Sequence, residues 1–268
     1  MAKIGFIGAG NMAEALIKGI LKTGLYSLQD IIISDINKDR LIYLNKKYGL
    51  HATKNNNDLV THSETIILAV KPQIVTDTIK KIAPEINKLK LLISIAAGIK
   101  LSLFRAHLGK NIRLIRVMPN TPALVLEGIT AICSDGVAQN DMEMAKQIFS
   151  SIGRIVVTKE NLIDVITGLS GSGPAYIALI IEALTDGGVL MGLPREISHE
   201  LTLQTIFGTI CLLTETKKHP ALLKDMVSSP GGTTIQGIYA LERGGLRAIL
   251  MEAVKSATLR SQELGKDH

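Results

Sequence analysis

The stretch Lys3-Ile4-Gly5-Phe6-Ile7-Gly8-Ala9-Gly10-Asn11-Met12-Ala13 decides the fold. Its apolar run to Ile7 reads as a buried strand, and the amphipathic pattern over Asn11–Lys22 reads as a helix. Between them, Gly8, Gly10 and Ala13 fit the G-x-G-x-x-G/A fingerprint in its required strand–turn–helix setting. Gly8 permits the tight turn, Gly10 lets backbone approach a pyrophosphate, and Ala13 allows close helix–strand packing. Unpaired N–H groups and the helix dipole then face the negative charge. The stretch predicts a doubly wound α/β domain that holds a nicotinamide dinucleotide, and hence an oxidoreductase.

Outward from it, short apolar runs recur at Ile31–Ser34, Thr65–Val70, Leu91–Ser94, Arg113–Val117, Ile129–Cys133 and Ile155–Val157. Helical patterns separate them at Asp39–Tyr48, Gln73–Pro84, Leu101–Leu108 and Asp141–Ser150. Strands so uniformly apolar suit a parallel sheet covered on both faces. After about Asn161 the strand signal stops and helical patterns take over. Pro174 and Pro194 sit where a first-turn proline is tolerated. The expected division is a Rossmann-type α/β domain over 1–161 and an all-helical domain over 162–268. Ile197, Leu201, Ile206, Ile210 and Leu213 form one apolar face there, and Leu246, Ile249, Leu250, Ala253, Ala257 and Leu264 another. Such faces suit an internal core or a second subunit; self-association is expected.

Composition narrows the function classes. Aromatic residues make up 3% and Trp is absent, which removes the stacking platforms that single-stranded nucleic acid needs. The net charge of +6 is scattered, so no nucleic-acid partner is expected. Cys133 and Cys211 stand far apart inside apolar sequence, without metal or redox spacing, so no metal site is expected. The opening residues lack the apolar core of a secretory leader, and no run of about 18 apolar residues suggests a membrane span. A cytoplasmic protein is expected.

Asp35 follows the second strand, near where an acidic side chain grips the ribose 2′-hydroxyl of NAD. Asn37, Lys38 and Arg40 follow closely and would suit a 2′-phosphate if Asp35 turned away, so NAD and NADP both remain open. Ala69-Val70-Lys71-Pro72 and Ala96-Ala97-Gly98 end two further strands, at the carboxyl edge where such sheets bind ligands.

Three other segments are rich in Gly, Pro, Ser and Thr but poor in charge: Met118–Pro122, Gly168–Tyr176 and Ser228–Thr234. The last two run into helices, where backbone N–H groups and hydroxyls would hold a small carboxylate. With Val117–Gly128 and the closing stretch Leu241–Arg260, these segments resemble pyrroline-5-carboxylate reductase almost from end to end. Ser-Gly-Ser-Gly-Pro-Ala-Tyr (170–176) and Ser-Pro-Gly-Gly-Thr-Thr (229–234) carry the likeness most specifically.

The resemblance implies reduction of L-1-pyrroline-5-carboxylate to L-proline with NAD(P)H, the last step of proline synthesis. It tilts the cofactor toward NADPH with NADH as the alternative, and implies a helical dimerisation domain building homodimers or decamers. Carried onto matching positions, it implies cofactor contacts from Ile7, Gly8, Ala9, Gly10, Asn11, Met12, Ser34, Asn56, Ala69, Val70, Lys71, Pro72, Ala96 and Ala97. Asn120, Ser172, Gly232, Thr233 and Thr234 would receive substrate, with Thr234 as the catalytic hydroxyl at the ring nitrogen. A protonated imine is already electrophilic, so positioning matters more than a strong acid. A β-hydroxyacid dehydrogenase shares the two-domain plan but needs a lysine base after its glycine-rich loop, and Gly173–Gly192 contains none. A dinucleotide-binding sensor would not need the second and third segments.

Overall fold

The computed structural model describes residues 2–265. Met1 and residues 266–268, which fall inside the expected domain limits, lie outside the described residues. The chain divides into two compact units: residues up to Ser172 together with those from Lys255 onward, and Gly173–Val254. The expected boundary at 161/162 therefore falls short of the end of the first unit, and the chain's closing segment rejoins it.

The first unit is built on an eight-stranded sheet in the order β3-β2-β1-β4-β5-β6-β7-β8. The strands are β1 (Ala2–Ile7), β2 (Ile31–Ser34), β3 (His51–Thr53), β4 (Ser63–Leu68), β5 (Leu91–Ser94), β6 (Arg113–Met118), β7 (Gly128–Ser134) and β8 (Gly153–Val157). The helices α1 (Asn11–Thr23), α2 (Lys38–Tyr48), α3 (Asn56–His62), α4 (Val75–Ile82), α5 (Leu101–Leu108) and α6 (Gln139–Ser150) alternate with them. The order reverses at β1, between β2 and β4, which places the switch-point crevice at the end of the glycine turn.

Two departures from the expected elements have local causes. β7 runs antiparallel to β6, because the Pro119–Glu127 connection is shorter than the dozen or so residues a parallel crossover requires. β3 and α3 were not anticipated: His51–Thr53 is a three-residue edge strand whose residues are exposed or half-buried, and α3 rests on the Asn55 cap, whose side chain accepts from Asn57 N. One core side of the sheet gathers Phe6, Leu16, Ile33, Ile93 and Phe149, and the other Ile66, Leu68, Ile79, Leu92 and Phe104. Cys133 packs within this unit, where burial pushes its thiol up to about 12, a value at which it stays protonated and inert.

The closing part of the first unit holds a short helix α7 (Ile163–Ile166) and a π turn, Thr167–Gly171. The second unit contains α8 (Gly173–Leu190), α9 (Arg195–Thr216), α10 (Pro220–Met226) and α11 (Thr233–Arg243), and the last helix, α12 (Leu246–Leu264), begins in it. Helical patterns therefore run on as expected, but the two apolar faces are not an internal core. Ile197, Leu201, Ile210 and Ile249 are exposed, and the buried side chains of this unit are Thr185, Ser198 and Thr202. The continuous helical run Glu160–Leu190 is also long and apolar enough to cross a bilayer by length and composition, contrary to the expectation that no such run exists.

Candidate functional site

Gly8 leaves β1 with φ +93°, and a Cβ there would lie 2.5 Å from the Ala69 carbonyl oxygen, so the turn accepts glycine alone. Its N–H donates to Ser34 O at 2.8 Å, tying the turn to β2. Gly10 differs in kind: a Cβ on it would meet nothing within 4 Å. Gly10 caps α1 without any side-chain hydrogen bond, and the first intrahelical bond is Glu14 N to Gly10 O at 3.0 Å. The opening N–H groups of this helix thus face open space, which suits a pyrophosphate.

A cleft of about 340 Å³ lies beside this turn. Ile7, Gly8 and Gly10 line it from the turn, Ser34 and Asn56 from the ends of β2 and α3, and Ala69, Val70 and Lys71 from beyond β4. Ser34 Oγ donates to Asn56 Oδ1 at 2.7 Å, so two residues far apart in sequence form one polar wall. Asn11 and Met12 sit in the first turn of α1, and Pro72 opens a 3-10 turn after Lys71. Ala96 is buried and Ala97 half-buried in the loop after β5. A larger, more open hollow of about 1020 Å³ lies between α5 and α6, away from the glycine turn. Its arginines are engaged internally, Arg105 with Lys110 O at 2.6 Å and Arg113 with Asp141.

Ala9, expected among the cofactor contacts, has both backbone groups occupied. Its N–H donates to Asp35 Oδ2 at 2.7 Å and its carbonyl accepts from Arg40 Nε at 2.6 Å. Asp35 lines the same cleft, and its second carboxylate oxygen accepts from Asn37 N at 2.8 Å, so the carboxylate braces the glycine turn from the cleft wall. Asn37 caps α2, and Arg40 pairs with Glu14, which leaves Lys38 as the exposed cation of that stretch. Burial alone would raise the Glu14 carboxyl, but hydrogen bonds from Lys47 and Arg40 outweigh it and hold the group below the usual carboxylate range.

The substrate segments fare differently. Asn120 Nδ2 donates to Ser170 O at 3.2 Å and its Oδ1 accepts from Ile129 N at 2.9 Å, so the side chain pins two backbone segments together. Gly168–Tyr176 is not a loop running into a helix; it is helical throughout, with the π turn at Thr167–Gly171, and Ser172 N already donates to Thr167 O at 2.9 Å. A Cβ on Gly171 would lie 2.7 Å from Met118 Cε, so its glycine serves close packing. Ser228–Thr234 keeps its expected form. Gly231 turns the chain at φ +67°, Gly232 caps α11 with no side-chain bond, and Thr233 and Thr234 are its first two residues. A second glycine-initiated helix start without a side-chain cap therefore belongs to Gly232, with the half-buried Thr234 two positions beyond it.

Known proteins match this chain along almost its whole length. A pyrroline-5-carboxylate reductase of Synechocystis sp. is 46% identical over 98% of both chains, and one of Pisum sativum is 46% identical over 97% of this chain and 95% of its own. The chain belongs to the pyrroline-5-carboxylate reductase family. A crystal structure of the Plasmodium falciparum pyrroline carboxylate reductase with NADP bound has a TM-score of 0.90 at 37% identity, covering 98% of each chain. The family model described as pyrroline-5-carboxylate reductase dimerisation matches residues 160–264, and one described as NADP oxidoreductase, coenzyme F420-dependent, matches residues 3–98. As a member of this family the protein is a Rossmann-type oxidoreductase with a helical dimerisation region. The features that the sequence alone did not reveal are the Asp35 brace, whose partner Ala9 lies 26 residues away, and the π turn, where Gly171 admits Met118.

Proposed function

We propose that the protein reduces L-1-pyrroline-5-carboxylate to L-proline, with NADPH as the favoured reductant and NADH as the alternative. The observation that carries this reading is its pair of uncapped, glycine-initiated helix starts, Gly10 and Gly232, in a chain of this family. Gly10, Asn11 and Met12 would hold the pyrophosphate, the Ser34–Asn56 wall the ribose end, and Ala69–Pro72 with Ala96 and Ala97 the remainder. When bound, the reduced dinucleotide supplies two electrons and one hydrogen as hydride.

The amides after Gly232 would bind the substrate carboxylate, and Thr233 would contribute its hydroxyl. The Thr234 hydroxyl would hold the proton on the ring nitrogen, so that the carbon beside it stays electrophilic and the product amine remains hydrogen-bonded. Asn120 fixes the backbone of two segments through Ser170 and Ile129, and it and the Ser172 hydroxyl would line the substrate's place. The Glu160–Leu190 run and the exposed apolar faces of α9 and α12 would be covered by a second copy of the chain, giving homodimers that assemble further as decamers. We place the enzyme in the cytoplasm.

The test is absorbance of NAD(P)H with purified protein and pyrroline-5-carboxylate. Substrate-dependent consumption, faster with NADPH than NADH, is expected; dinucleotide binding without consumption would sink the reading.

A further inference from the structure

Arg116, on β6, is 1% exposed and heads the fully buried side chains. Among the described residues its one hydrogen bond runs from Nη1 to Glu160 Oε1 at 3.1 Å, since Nε and Nη2 find no partner. That same Oε1 accepts the backbone N–H of Leu101 at 2.7 Å. Leu101 is the first residue of α5, where no intrahelical acceptor exists for its N–H. Glu160 therefore joins a buried cation to the point where the loop after β5 turns into a helix.

The rest of that loop is held as closely. Ala96 N donates to Ser94 Oγ at 3.3 Å, and Ser94 is the cross-strand neighbour of Arg116. A Cβ on Gly265 would lie 2.7 Å from Gly98 O, and one on Gly98 would lie 3.5 Å from Leu264 Cβ, so the end of α12 packs on the loop. That end is fastened by Ser261 Oγ, which donates to Asp164 Oδ1 at 2.8 Å, and Asp164 in turn lies 3.8 Å from Arg116 Nη2.

We propose that Glu160, held by Arg116, is a positioning residue for the reaction: it clamps the loop bearing Ala96 and Ala97 in the shape that receives the dinucleotide. A carboxylate that accepts from an N–H and a guanidinium at once is a charge-assisted junction, stiffer than a neutral turn. The clamp touches neither cofactor nor substrate. It rests on the assignment of Ala96 and Ala97 to the cofactor.

The test measures NADPH affinity by the dinucleotide's own fluorescence, together with hydrogen exchange over 95–101, in Glu160→Ala and Glu160→Gln. Glu160→Ala is expected to weaken NADPH binding about tenfold and to speed exchange at Leu101 by a similar factor. Glu160→Gln retains an oxygen acceptor and is expected to restore both to within about twofold. Should Glu160→Ala not fold, Leu101→Pro against Leu101→Ala decides. Proline is tolerated at this first helical position; both variants lose the buried Leu101 side chain and proline alone loses the N–H, so proline should bind NADPH more weakly than alanine. A Glu160→Ala protein with lowered Tm but unchanged NADPH affinity and loop exchange overturns the proposal, as would equal binding by the two Leu101 variants. If wild-type binds NADPH yet turns over no pyrroline-5-carboxylate, the functional reading fails while the clamp still stands on binding and exchange.

Discussion

The two compact units answer the same physical problem in opposite ways. In the first, Phe6, Phe104, Phe149 and the isoleucines of β1, β2, β4 and β5 are sealed between sheet and helices. In the second, the buried side chains are threonines and a serine, while Leu190 and Met191 stand 84% exposed and Phe207 63%. Both are comparably apolar in sequence. A hydrophobic face on a lone helix layer has nothing to close against, whereas one on a sheet has helices above and below. The first unit carries its own core, and the second leaves large apolar side chains exposed, as a surface that meets a partner does.

Breaking the second surface should have the largest effect. Leu201→Asp with Phe207→Asp would place unpaired charges at the copy–copy contact, raising the dimer dissociation constant roughly a hundredfold or more. Light scattering should then give the mass of one 28.9 kDa chain. Ile42→Asp, equally exposed but in the first unit, should leave the mass unchanged.

Next comes the core itself. Phe104→Ala should cost about 3–5 kcal/mol in urea denaturation. Ile210→Ala in the dissociated variant should cost far less, about 1 kcal/mol or under, because its side chain is 54% exposed. A large loss at Ile210 in the monomer would mean the second unit has a core of its own.

The two helix starts sharpen the comparison at smaller scale. The Cβ of Gly10→Val meets no protein atom within 4 Å, so Tm should hold while NADPH affinity falls more than about tenfold. Gly8→Val, by contrast, should lower Tm. Thr234→Ala should reduce kcat/KM by about ten- to a hundredfold with Tm unchanged, as loss of a hydrogen bond made to the reacting group. Full turnover by that variant would remove the hydroxyl from the mechanism.

The smallest effect is acid sensitivity. The Glu14 carboxyl lies below its ordinary value of 4.5 in the fold, so its stabilising contribution is present above that pH and lost as pH falls through the folded value. Glu14→Gln should flatten the acid limb of a Tm-against-pH curve without altering its neutral plateau by more than about 1 kcal/mol.

Much of this was legible in the chain. Ile31–Ser34, Leu91–Ser94 and Leu101–Leu108 have in the fold the limits that their apolar patterns predict. His51–Thr53 was not legible, since three residues are too few to establish a period-two signal. Gly168–Tyr176 misled for a different reason: glycine and serine read as loop by propensity, and tertiary packing overrides propensity when Gly171 must admit Met118.

By itself, the sequence determined the glycine turn, the two uncapped helix starts and the family, because each depends on residues adjacent in the chain. Only the tertiary structure decided that Asp35 braces Ala9, that Asn120 spans Ser170 and Ile129, and that Glu160 joins Arg116 to Leu101. A polar side chain's role is set by the partner it meets, and these partners lie nine to fifty-nine residues away along the chain, where no local pattern reaches.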